Sequence, residues 1–219
     1  MIVDITENVA QELERLTKGT TTVGIATEEG VVLAADKRAV MGNLIAGKDV
    51  RKIFKVTDHV GVTTAGSVAD AQKIVGLMRA ESRLYRLRHK REITAKALAN
   101  VTSHVLHSSL KAFRPYLVQL IIGGYNVDEP ALYNLDPSGS VIEEKYTATG
   151  SGSPVAYGVL EAGYDEDMSL EDAVELAVQA VKSALERDTG TGEGIDVVTI
   201  TRDEGYRRLP EEEVERIIR

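Results

Sequence analysis

In Gly19-Thr20-Thr21-Thr22-Val23-Gly24, ordinary residues could become a catalyst. A threonine hydroxyl is a poor nucleophile unless a base sits beside it. One solution makes the threonine the first residue of a mature chain, so that its own α-amine is that base. Such an amine titrates near ~7.7–8.0 and accepts a proton close to neutral pH, whereas an unassisted lysine does not. Gly19 suits the position before such a cut, because a residue without Cβ reaches strained backbone conformations. The competing reading is structural: three threonines favour the opening of a β-strand. Asp36 follows the apolar run Val31 to Ala35, and a carboxylate buried there needs a partner. Lys52, beside Arg51, is the natural candidate, and an ordinary structural ion pair would look the same. Gly66, in Thr64-Ala65-Gly66-Ser67, lies where a strand turns into a helix. A glycine there lets a backbone N–H face open space, as an oxyanion hole requires; any strand-to-helix turn also favours it.

Other features point away from chemistry. His104 and His107 are spaced to share a helix face, yet no third ligand accompanies them and no metal or other cofactor is expected. The chain of 219 residues has no cysteine, which excludes disulfides, thiolate catalysis and cysteine-held zinc. A net charge of −8 argues against broad nucleic-acid binding. The basic run Arg79, Arg83, Arg86, Arg88, Lys90 and Arg91 is expected to be a solvated or subunit-facing helix end. No apolar run reaches the length of a membrane span and no hydrophobic signal segment opens the chain, so a cytoplasmic protein is expected.

The elements that must position these residues follow from periodicity. Met1 to Lys18, with Val9, Leu13 and Leu16 among glutamates, is either a short helix of the domain or a propeptide, and the Gly19-Thr20 junction favours the propeptide. Thr21–Ala26 and Val31–Ala35 read as strands around Thr27-Glu28-Glu29-Gly30, with Gly30 available for positive φ. Ile53–Val56 and Val60–Thr64 form a second pair. Val68–Leu87 and Ala95–Phe113 carry apolar residues at helical spacing, and Pro115 stops the second. Strands resume at Leu117–Ile122, Ala131–Leu135 and Val141–Thr147. Ser169-Leu170-Glu171-Asp172 resembles a capping box before an apolar helical stripe. Ile195–Thr201 is a last strand, and a short acidic helix starts from Pro210. Paired helices between hairpin-linked strands imply an α+β fold: two stacked antiparallel sheets flanked by helix layers.

The same motifs, in order along the chain, resemble the proteasome β subunit in its archaeal form. They are Gly19-Thr20-Thr21-Thr22-Val23-Gly24, Gly30 to Arg38, Lys52-Ile53, Ala65-Gly66, Gly150-Ser151-Gly152-Ser153 and Arg187-Asp188. That family is a set of N-terminal-nucleophile hydrolases with an αββα four-layer sandwich. The resemblance implies a propeptide, 1–19, removed by autolysis between Gly19 and Thr20, and a catalytic domain, 20–219. It implies Thr20 as nucleophile, with Lys52 as the cation beside it and Asp36 holding Lys52. It further implies Gly66 N–H as an oxyanion donor, Ser151 and Asp188 around the Thr20 amine, and Thr191 where many members carry serine.

Also by resemblance, Ala39, Val50, Phe54, Thr64, Val68 and Gln72 line the main specificity pocket. That lining carries no formal charge, so cleavage after hydrophobic residues is expected. Val40, Gly66 and Val68 would pair with an extended peptide. The implied partners are heptameric β rings, α-subunit rings, an ATP-dependent unfoldase and unfolded polypeptides. Two alternatives stand beside this reading: the bacterial two-component relative, and a non-catalytic scaffold subunit of the same barrel. The Gly150–Ser153 and Arg187-Asp188 contexts favour the archaeal type over the first, and the presence of both Thr20 and Lys52 disfavours the second.

Overall fold

A computed structural model describes residues 19–41 and 44–219. The expected propeptide, apart from Gly19, lies outside the described residues. Strands β1 (Thr21–Ala26), β2 (Gly30–Asp36), β10 (Tyr146–Gly150), β11 (Ile195–Thr201) and β12 (Gly205–Arg208) make one sheet in the order β10-β1-β2-β11-β12. A second sheet runs β5 (Ile53–Lys55), β6 (Val60–Gly66), β7 (Val118–Asn126), β8 (Glu129–Leu135) and β9 (Val141–Glu144). All neighbours within these sheets are antiparallel. A separate hairpin, β3 (Ala39–Met41) and β4 (Leu44–Gly47), stands beside them.

Alternation along the strands builds the layers. Val23, Ile25, Val32 and Ala34 meet helices α3 (Ser153–Gly163), α4 (Leu170–Arg187) and α5 (Glu211–Ile218). Val60, Val62, Val118, Leu120 and Ile122 meet α1 (Val68–His89) and α2 (Ala95–Lys111). The opposite strand faces carry Val31, Leu33, Ile121, Leu132 and Ile200 into the layer between the sheets. The result is the four-layer sandwich expected. Glycines let the sheets close: a Cβ on Gly24 would lie 2.7 Å from Leu132 Cδ1, and one on Gly123 2.7 Å from Val31 Cγ1. Ser67, Thr94 and Ser169 cap α1, α2 and α4 by accepting backbone N–H groups from Asp70, Ala97 and Asp172.

Three sequence expectations change. Gly30 lies within β2 without positive φ; its small size is needed because a Cβ there would sit 2.5 Å from Ile200 O. Val141–Thr147 is two strands, because the chain crosses at Lys145 from the second sheet to the first. The β3–β4 hairpin and β12 were not expected; three- and four-residue strands give alternation too little length to register.

Candidate active site

Thr20 sits at the entrance to β1, buried, with the Gly19–Thr20 peptide bond held among polar groups. Thr20 Oγ1 donates to the Gly19 carbonyl oxygen at 2.7 Å, and Lys52 Nζ donates to that same oxygen at 3.3 Å. Gly19 has φ +112°, and a Cβ on it would lie 2.0 Å from Val40 Cγ2, so conformation and space both require glycine.

Asp36 ends β2 and Lys52 precedes β5, so the pair bridges the two sheets. Lys52 Nζ lies 2.7 Å from Asp36 Oδ1, and both side chains are buried. Asp36 also accepts from Thr21 N at 2.9 Å, Gly192 N at 3.0 Å and Arg38 N at 3.1 Å. Burial pulls the Lys52 ammonium below its ordinary range, and the Asp36 charge is the largest influence opposing that fall. Burial likewise pushes the Asp36 carboxyl up, against Lys52 and the backbone donors.

On the other side of Thr20, the turn between β10 and α3 carries Ser151. Ser151 Oγ accepts from Gly19 N at 3.0 Å and Thr20 N at 3.4 Å and donates to Asp188 Oδ2 at 2.5 Å. Asp188, the C-cap of α4, therefore reaches the Thr20 nitrogen through Ser151. Thr191 Oγ1 also donates to Asp188 Oδ2, at 2.5 Å, and lies 2.7 Å from Thr21 Oγ1. Gly150 and Gly152 make room, since a Cβ on them would meet Thr20 O at 2.1 Å and Thr21 Oγ1 at 2.0 Å.

A cavity of about 560 Å³ opens onto Thr20. Ala39, Val40, Val50, Phe54, Thr64, Gly66, Val68 and Gln72 all line it. Gly66 has φ +116°, and a Cβ there would strike Leu117 O at 2.3 Å. The expected charge-free lining is incomplete: Arg38, Asp49, Arg51 and Lys52 also border the cavity. Lys52 was expected beside Thr20, whereas Arg38, Asp49 and Arg51 were missed as lining because charged residues on connecting segments give no periodic signal. Arg38 donates to Thr189 O at 3.0 Å and to Glu193 Oε1 at 3.3 Å, holding the segment after α4 against β2. Elsewhere, His104 Nδ1 lies 2.7 Å from Asn100 O and His107 Nδ1 3.2 Å from Ser138 O. In the basic run, Arg79 Nε donates to Lys55 O at 2.9 Å and Arg86 pairs with Glu92 at 3.3 Å. Among the described residues no helix is long and apolar enough to cross a membrane.

The family model described as "Proteasome subunit" matches residues 16–200. The chain belongs to the proteasome subunit family. A protein named proteasome subunit beta from Methanopyrus kandleri is 78% identical over 208 residues, covering 95% of this chain and 99% of that protein. Proteins of the same name from Methanocaldococcus jannaschii and Methanothermobacter thermautotrophicus are 54% and 50% identical over 203 and 201 residues, each covering 92% of this chain and 89% and 95% of their own length. Within the proteasome family the likeness is thus to β subunits of archaea, as the sequence motifs implied. The matched span contains Thr20 and every other residue placed around it above.

Proposed function

We propose that this proteasome-family chain is a catalytic β subunit, a threonine-type endopeptidase that makes its own nucleophile by cutting Gly19–Thr20. One observation carries the reading: Thr20 Oγ1 and Lys52 Nζ converge on the carbonyl oxygen of that bond, with Asp36 fixing Lys52. Thr20 Oγ attacks the Gly19 carbonyl carbon while Lys52 stabilises the charge that develops on its oxygen. The Thr20 nitrogen takes up the proton lost by the hydroxyl and leaves as a free α-amine, and an ester replaces the amide. Water then splits the ester, releasing the Gly19 carboxylate and restoring the Thr20 hydroxyl beside the already freed α-amine, which Ser151 and Asp188 orient.

In the mature site, the amine takes the hydroxyl proton as Thr20 attacks a substrate carbonyl. The oxyanion forms against Gly66 N–H, and the protonated leaving amine departs. Water releases the acyl group and regenerates Thr20. The apolar part of the cavity, Ala39, Val50, Phe54 and Val68, favours cleavage after hydrophobic side chains. Val40, Gly66 and Val68 pair with the peptide backbone, a mode that reads few side chains. The family likeness supports assembly into heptameric β rings between α rings, fed unfolded polypeptide by an ATP-dependent unfoldase in the cytoplasm.

Thr20→Ala should abolish peptide hydrolysis and leave residues 1–19 attached by intact mass; a fully active Thr20→Ala chain would sink the reading. Fluorogenic peptides should be cut fastest after tyrosine or leucine types, and a preference for basic or acidic residues would refute the pocket assignment.

A further inference from the structure

The inter-sheet face of β7 carries Gln119, Ile121, Gly123 and Tyr125 in alternation, and Gln119 is the member nearest the catalytic end. Its side chain crosses to the other sheet, where Oε1 accepts from Gly150 N at 3.1 Å. Gly150 has φ +90°, presses against the Thr20 carbonyl and immediately precedes Ser151. Gln119 itself is opposite Ala65 in the β6–β7 ladder, one position from Gly66. One side chain thus joins the turn that holds the Thr20 nitrogen to the strand end that bears the oxyanion glycine. The neighbouring contacts are also polar. Thr22 Oγ1 lies 2.8 Å from Thr63 Oγ1 and 2.7 Å from Thr149 Oγ1, and Asn134 Nδ2 donates to Thr147 Oγ1 at 2.8 Å. Directional bonds fix spacing between sheets more narrowly than apolar contact does, and a misplacement of about 1 Å at a reacting centre costs on the order of 100-fold in rate.

We propose that Gln119 is a positioning residue for catalysis, setting Ser151 against Gly66 through the Gly150 amide. The proposal rests on the reading of Thr20 as the self-made nucleophile. Its test uses the full-length chain in its assembled particle, with wild type, Gln119→Leu and Gln119→Glu. Gln119→Leu keeps the bulk and removes the acceptor. It should slow Gly19–Thr20 scission and lower kcat about tenfold, with KM changed less than about twofold. Gln119→Glu keeps an acceptor, should recover most of the rate, and should raise the acid limb of the kcat–pH profile by about half a unit through its charge near the Thr20 amine. If Gln119→Leu does not fold, the Gln119→Glu pH profile decides, and an unmoved profile overturns the proposal. Wild-type rates in Gln119→Leu, or equal losses in both variants, also overturn it while leaving the Thr20 reading intact. A wild type that is neither cut at Gly19–Thr20 nor active overturns both.

Discussion

The Gly19 carbonyl oxygen receives the Thr20 hydroxyl and the Lys52 ammonium together, so the group to be cut and the groups proposed to cut it already share one hydrogen-bonded cluster. Lys52 is the sensitive member. Burial lowers its pKa and the Asp36 charge holds it up, so the two effects oppose each other. Removing the Asp36 charge takes away the largest influence opposing burial, leaves only the weaker one of Asp188, and lowers Lys52 further. Asp36→Asn should therefore move the alkaline fall of kcat/KM to lower pH, in addition to slowing the reaction. A pH–rate profile checks this, and an alkaline limb that stays put or moves up contradicts the assigned role of Lys52. The need for glycine at position 19 is equally local: positive φ and the Val40 methyl leave no place for a Cβ.

Elements hold these residues because Asp36 ends a strand of one sheet and Lys52 precedes a strand of the other, so the site needs the two sheets packed face to face. Glycine makes room for that packing, and Gly123→Val should cost about 1–3 kcal/mol by forcing the new side chain into Val31. Thermal melts should show a clear drop in Tm. Gly76→Ala, on α1 with nothing within 4 Å of the added Cβ, should be neutral or slightly stabilising. Equal melting of both variants would refute the packing account. Most of the sheet-and-helix order was legible because long strands and helices carry strong periodicity, and Ser169 with Asp172 marked the start of α4; α3 was not placed, since no capping side chain marks its start. Val141–Thr147 misled for a physical reason: a strand that changes sheets at Lys145 keeps its residue types on both sides of the crossing. Thr20, Asp36, Lys52 and Gly66 were legible as chemistry-bearing types. Gln119 was not, because a lone glutamine in a strand shows its partner only after two sheets are stacked. Arg38 was hidden likewise, since its contacts to Thr189 and Glu193 span more than 150 positions.

At the scale of the whole molecule, the proposed active site lies where both sheets, the β3–β4 hairpin and the segment after α4 converge. No single element contains the site, so the proposed cut at Gly19–Thr20 requires the fold to be complete first. Exposed Met41, Leu44 and Ile45 place an apolar hairpin beside the cavity, next to the polar rim of Arg38, Asp49 and Arg51. A peptide entering the proposed site would thus meet mixed surfaces at Arg38, Asp49 and Arg51 and apolar ones at Ala39, Val50, Phe54 and Val68. In the proposed mechanism the hydroxyl of a newly exposed Thr20 becomes acylated during turnover. Rapid acid quench of the assembled particle with a peptide ester, followed by mass mapping, tests it most directly. The expected product is an acyl mass on Thr20 of a chain that begins at Thr20; an adduct on any other residue, or on a chain still carrying residues 1–19, would contradict it.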